Sequence, residues 1–188
     1  MIKIGITGSL ASGKSTASNI LSHRRGPLFS ADKAVKELYK NKYFRSKISK
    51  KFNIENNNKI KKSIKKRALN NKNFLKKLEK IIHPLVRKKM KKFTAQNKNK
   101  KNLFYEIPLL VESKLMKYFD IIIFIKAKKK LRLKRFKINQ GNEKLFKLLD
   151  NKQMLETKKI QYCDHIIVNE KNLKILKKNL LDIIKQYV

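Results

Sequence analysis

Short unbroken apolar runs alternate along the chain with longer stretches in which apolar residues recur every three or four positions. The runs lie at residues 2–7, 27–29, 103–107, 120–125 and 165–169 and read as strands. The unbroken Ile121-Ile122-Ile123-Phe124-Ile125 is the pattern of a central parallel strand, buried on both faces. Between the runs, helical spacing dominates. From 36 to 101, Phe74, Leu75, Leu78, Ile81 and Ile82 form an amphipathic face. The polar break Asn56-Asn57-Asn58 and the pair His83-Pro84 interrupt it, because the residue before proline is pushed out of the α region. Residues 128–159 read as helix, polar turn (Asn139-Gln140-Gly141-Asn142) and helix, the second carrying Leu145, Phe146, Leu148 and Leu149. Residues 172–188 form a closing helix with Leu173, Leu176, Leu180, Ile183 and Ile184 inward. Strands alternating with helices predict an α/β fold, a parallel sheet with helices on both faces.

The junction after the first run holds the clearest chemistry. Gly8, four spacers and then Gly13-Lys14-Ser15 form G-x-x-x-x-G-K-[ST] between a strand and a helix. Gly8 and Gly13 permit backbone angles and close approaches that a side chain blocks. The loop amides turn inward around a β-phosphate, and the helix starting near Lys14 adds the positive end of its dipole. Lys14 places an ammonium between the β- and γ-phosphates, and Ser15 offers a hydroxyl to Mg²⁺. Ala11, Ser12 and Thr16 complete the nucleotide-binding stretch.

Other polar residues carry two readings each. Asp32 follows the second strand, where functional groups gather at the carboxyl edge of an open sheet; it is also a common helix cap. His83, fixed beside Pro84, is a ligand contact or a structural histidine, whereas His23 and His165 have no comparable setting and read as structural. Glu106 ends the third strand, as an acid near the magnesium site or an ordinary loop acid. Arg132, Lys134, Arg135 and Lys137 crowd before the polar turn, as in the basic lids of phosphoryl-transfer enzymes or in a solvated basic helix.

Composition adds one strong feature. Fifty Lys and Arg against 13 Asp and Glu give a net charge of +37. The lysines spread over the whole chain with Asn and Ile, as a compositional bias spreads them, so no specific nucleic-acid partner is expected, although the field attracts polyanionic substrates. No apolar run is long enough to span a membrane, no signal peptide precedes the phosphate loop, and Cys163 is the only cysteine, which together fit a cytoplasmic protein.

Five ordered segments resemble the dephospho-CoA kinase family: the phosphate loop from Gly5 to Thr16, Ser30-Ala31-Asp32, residues 78–86 around His83-Pro84, Ile107-Pro108-Leu109-Leu110-Val111-Glu112, and Gln153 with Lys158-Lys159 and residues 163–169. The resemblance implies a P-loop kinase with a nucleotide core at about 1–32, 102–127 and 160–188. It implies a helical substrate-binding insertion at about 33–101 and a helical lid at about 128–159. It implies that ATP with Mg²⁺ phosphorylates the ribose 3′-hydroxyl of dephospho-CoA, the last step of coenzyme A synthesis, in a monomer or small homo-oligomer. It assigns catalysis to Asp32, Lys14 and Arg135, and substrate contacts to Asp32, His83, Leu109 and Glu112. Asn169 is placed near the ATP adenine. Four departures stand out: Ser30 replaces the first acid of Asp-Ala-Asp, Ala11 replaces a common Gly, Asn139 replaces a lid arginine, and Glu106 stands where many members have Asp. The competing readings are a nucleoside monophosphate or other small-molecule kinase, and a basic nucleic-acid-binding P-loop protein.

Overall fold

The computed structural model describes residues 1–57 and 59–187, so Asn58 of the expected polar break and the terminal Val188 lie outside the description. The described residues fall into two compact units, residues 1–30 with 94–188 and residues 31–93.

The first unit is built on a five-stranded, wholly parallel sheet in the order β2-β3-β1-β4-β5. Its strands are β1 (Ile2–Gly8), β2 (Leu28–Ser30), β3 (Asn102–Glu106), β4 (Ile121–Lys126) and β5 (His165–Val168). β1 and β4 sit inside the sheet, and Ile4, Ile6, Ile123, Phe124 and Ile125 are fully buried, as their unbroken apolar runs require. One face is covered by α1 (Lys14–Ser22) and α9 (Leu173–Ile184) through Ala17, Leu21, Leu176, Leu180 and Ile184. Side chains alternate along β3: Phe104 joins that core, while the Tyr105 hydroxyl bonds Thr94 at 2.8 Å on the other side. Leu173, expected inward, is 61% exposed. The buried row runs 176, 180, 184, and Leu173 opens the helix after the Asn172 cap, before that row begins.

The register gathers the carboxyl ends of the strands. Ile6 pairs with Glu106, Glu106 with Ser30, and Gly8 with Ile125. The phosphate loop, the third-strand acid and the chain leading to Asp32 therefore leave the sheet along one edge. Beyond β4 come α6 (Lys129–Ile138), a turn at 139–142, α7 (Glu143–Asp150) and the short α8 (Glu156–Ile160).

The second unit consists of α2 (Ala31–Lys40), α3 (Lys42–Phe52), α4 (Ile60–Asn70) and α5 (Lys72–Gln96), the last running on past the unit boundary. Leu38, Phe44, Ile48, Phe52, Ile60, Ile64, Phe74, Leu78 and Ile82 form its own core. Asn41 and Asn71 start two of these helices by accepting the amides of Phe44 and Phe74 at 3.0 and 2.9 Å. The break expected at His83-Pro84 does not occur, for α5 passes through Pro84 without interruption. A proline inside a helix costs about 3 kcal/mol. Burial of Leu78, Ile82 and Met90, with Ile81, Leu85 and Val86 packed beside them, outweighs that at about 1.5–3 kcal/mol for each fully buried side chain.

Candidate active site

The loop between β1 and α1 has the geometry its sequence predicts. Gly8 stands at φ 151° and Gly13 at φ 98°, both in the region that favours glycine. A Cβ on Gly8 would strike the Ile125 carbonyl, and one on Gly13 would strike the Asn169 side chain. Ala11 also adopts a left-handed conformation, φ 57°, without glycine's freedom. α1 begins at Lys14 with no acidic residue of its own in its first turn, which leaves the positive end of its dipole facing the loop. Lys14 is 8% exposed and its Nζ donates to the Ser9 carbonyl at 2.7 Å, folding the ammonium back over the loop. Ser15 and Thr16 are exposed at the helix start, and Ser12 Oγ is buried with no hydrogen-bond partner among the described residues.

Glu106 ends β3 opposite Ile6 and is only 6% exposed, yet Ser15 Oγ donates to its Oε1 at 2.5 Å. A hydroxyl and a carboxylate are thus adjacent beside the loop. These are hard oxygen donors of the kind that hold Mg²⁺, which takes one or two carboxylates and completes its shell with phosphates and water. The residues present fit that ion.

The loop is held from behind by the strand-and-helix elements that follow β4. Arg135 of α6 donates to the carbonyls of Ser12 and Asn169 at 3.3 and 3.0 Å, and Asn169 Nδ2 donates to the same Ser12 carbonyl at 2.8 Å. Partial burial pulls the Arg135 guanidinium below its ordinary pKa, partly offset by Glu170, and it remains a cation with no ion pair among the described residues. Arg132 is committed elsewhere. It is 7% exposed, donates to the carbonyls of Ala127 and Leu10, and pairs with Asp150 at 2.6 Å. Lys137 pairs with Glu143 in solvent. Asn139 is exposed at the end of α6, its side chain donating to the Arg135 carbonyl at 3.1 Å.

Of the expected substrate residues, Asp32 lies in the first turn of α2, two residues beyond the end of β2, and His83 is half-buried on α5. Both belong to the helical unit. Leu109 is half-buried in the turn after β3 and its carbonyl accepts from Ser113. Glu112, in the same turn, has its Oε1 on the Met154 amide at 3.2 Å and 2.6 Å from Lys159 Nζ. Asn169, expected near adenine, spends its side-chain amide on the phosphate loop.

The sequence profile of the dephospho-CoA kinase family matches residues 2–174. The dephospho-CoA kinase of Bartonella henselae is 37% identical over 187 residues, covering 97% of this chain and 96% of that protein. The chain belongs to the dephospho-CoA kinase family. The solved dephospho-CoA kinase of Campylobacter jejuni is 28% identical, with a TM-score of 0.68 over 98% of this chain and 96% of that one. A Thermus thermophilus structure, 23% identical, shares the fold at a TM-score of 0.85 over 100% of this chain and 98% of its own.

Sequence reasoning gave no individual role to several residues that bind the loop. Gln153 Oε1 accepts the Leu10 amide at 3.0 Å, and Glu156 Oε2 accepts the Ser9 hydroxyl at 3.0 Å. Gln153 and Lys159 stand within the segments that resemble the family, but nothing in their spacing says what they touch.

Proposed function

We infer that the residues gathered around the phosphate loop carry the reaction of a dephospho-CoA kinase, ATP-dependent phosphorylation of the ribose 3′-hydroxyl of dephospho-CoA to coenzyme A with release of ADP. The observation that carries this assignment is the pairing of a phosphate loop of the required φ pattern with Ser15 and Glu106 side by side at the sheet's carboxyl edge.

The loop amides and the start of α1 bind the β- and γ-phosphates of ATP. Lys14 leaves the Ser9 carbonyl for the phosphate oxygens, exchanging a neutral acceptor for a charged one. Ser15 and Glu106 would hold Mg²⁺, which when bound would screen the charge that builds up on the transferring group. Asp32 accepts or orients the proton of the attacking hydroxyl. Its place just past β2, with Ser30 unable to share that role as a base, supports this. Arg135 supplies the lid's cation. Arg132 is neutralised by Asp150 and Lys137 by Glu143, which supports Arg135 as the arginine that covers for Asn139. His83 and Leu109 serve the dephospho-CoA side. Positioning and charge stabilisation supply most of the rate, and closure of residues 128–159 keeps water from the γ-phosphate.

No helix of the described residues is long and apolar enough to cross a membrane, and we place the enzyme in the cytoplasm, where ATP and its substrate meet. The regiochemistry is tested by ³¹P NMR of the product. A phosphomonoester on the ribose 3′-oxygen fits the assignment, and a new pyrophosphate linkage overturns it.

A further inference from the structure

The turn after β3 and the segment after the lid are locked together by a buried charge pair. Lys159 on α8 is buried, its side chain only 1% exposed. A buried ammonium is costly unless paired, and the partner here is Glu112, 2.6 Å away. Glu112 Oε1 also accepts the Met154 amide; its Oε2 is buried with no hydrogen-bond partner among the described residues, and Lys159 Nζ is held by the ion pair and not by a directed hydrogen bond. Glu112 therefore grips residues 154 and 159 at once. Between and beside those two points lie the side chains that grip the phosphate loop. Gln153 takes the Leu10 amide, and Glu156 takes the Ser9 hydroxyl while standing 3.5 Å from Lys126.

We propose that Glu112 and Lys159 are positioning residues that set Gln153 and Glu156 against Ser9 and Leu10 and so hold the phosphate loop in its ATP-binding shape. This rests on the kinase assignment above and replaces the substrate contact expected of Glu112. Three observations carry it. The first is that neither Glu112 oxygen is open to a ligand: one is doubly used and the other is enclosed. The second is that the Leu10 amide is already taken by Gln153 Oε1 at 3.0 Å, so this bond fixes the loop's backbone from a residue 143 positions away. The third is that Glu156 places a carboxylate beside a loop that must accept a polyphosphate. That is unfavourable for binding as such and sensible only as a fixed support with its charge met by Lys126.

The proposal separates the two substrates of the reaction. In the full-length chain, Gln153→Ala, Glu156→Gln and Glu112→Gln are compared for ATP affinity with a fluorescent ATP analogue, and for KM of ATP and of dephospho-CoA. We expect ATP binding and the KM for ATP to worsen roughly tenfold or more, since small misplacements of a catalytic loop are costly, while the KM for dephospho-CoA moves less than about twofold. Where Glu112→Gln fails to fold because it strands the lysine, the double variant Glu112→Leu/Lys159→Met removes both charges and is read in its place, with the same loss on the ATP side expected. A raised KM for dephospho-CoA with ATP binding intact overturns the proposal and returns Glu112 to the substrate pocket. Wild-type ATP binding in all variants overturns it as well. ATP binding is read without turnover, so an error in the assigned acceptor substrate would leave this test standing.

Discussion

Ser15 and Glu106 lie 91 residues apart in sequence and meet at the mouth of the phosphate loop, hydroxyl on carboxylate. β1 and β3 are adjacent strands, and their register carries the last residue of β3 to the level of Ile6, two residues before Gly8. Both side chains offer oxygen to a hard cation. Glu106→Gln keeps the shape and removes the charge. It should raise the Mg²⁺ concentration for half-maximal rate by about 10–100-fold, with the protein's melting temperature little changed. A magnesium titration of wild type and variant checks this; superimposable curves would place the ion elsewhere.

Asp32 is assigned to the attacking hydroxyl, not to ATP. Asp32→Asn should lower kcat by about 100-fold or more while ATP affinity, measured by equilibrium binding, stays within about twofold. Parallel loss of kcat and affinity would instead make Asp32 a support of α2, at whose positive end it stands.

Arg132 and Arg135 lie one turn apart on α6 and should fail in different ways. Arg132 is buried against Asp150, and Arg132→Ala leaves that acid with only the exposed Lys129, 3.7 Å away, at a cost of about 3 kcal/mol in stability. Arg135 bonds backbone oxygens on the loop and after β5, and Arg135→Ala should cost about 100-fold or more in kcat with a smaller loss of stability. Arg135→Lys should recover only part, because an ammonium cannot span both carbonyls as the guanidinium fork does. Thermal denaturation beside steady-state kinetics separates the two.

Ala11 holds φ 57° where glycine would be at ease. A left-handed non-glycine residue costs about 1–2 kcal/mol. Glycine gives back about 0.4–1 kcal/mol through its freer unfolded chain. Ala11→Gly should therefore leave stability unchanged or raise it by about 1 kcal/mol, equivalent to about 2–4 °C in Tm for a chain of this size. A clear fall in Tm would show that the Ala11 methyl packs to advantage.

Much of this architecture was legible in the chain. The run from Ile121 to Ile125 announced a central strand because a parallel strand buried on both faces has no polar alternation to hide it. The phosphate loop was legible because its chemistry is local: the residues that bind phosphate are consecutive. Two features were not. Pro84 reads as a break, and only the apolar residues packed on either side of it keep α5 intact, a tertiary effect that a local rule does not contain. The uses of Glu112, Gln153, Glu156 and Lys159 depend on which strands are neighbours, and their contacts span 42 to 147 residues. Leu173 was misplaced for a smaller reason, since helical spacing gives a face but not where the face begins.

The central claim is that one loop, with Lys14 at its end, drives phosphoryl transfer to dephospho-CoA. The most direct measurement is ADP release with Mg²⁺ and ATP, offered dephospho-CoA or a panel of nucleoside monophosphates, with product masses determined for wild type and Lys14→Ala. The account predicts that dephospho-CoA alone gains a phosphate and that Lys14→Ala loses at least about 100-fold of the rate while remaining folded. Transfer to a monophosphate in preference to dephospho-CoA, or a rate that survives Lys14→Ala, would contradict it.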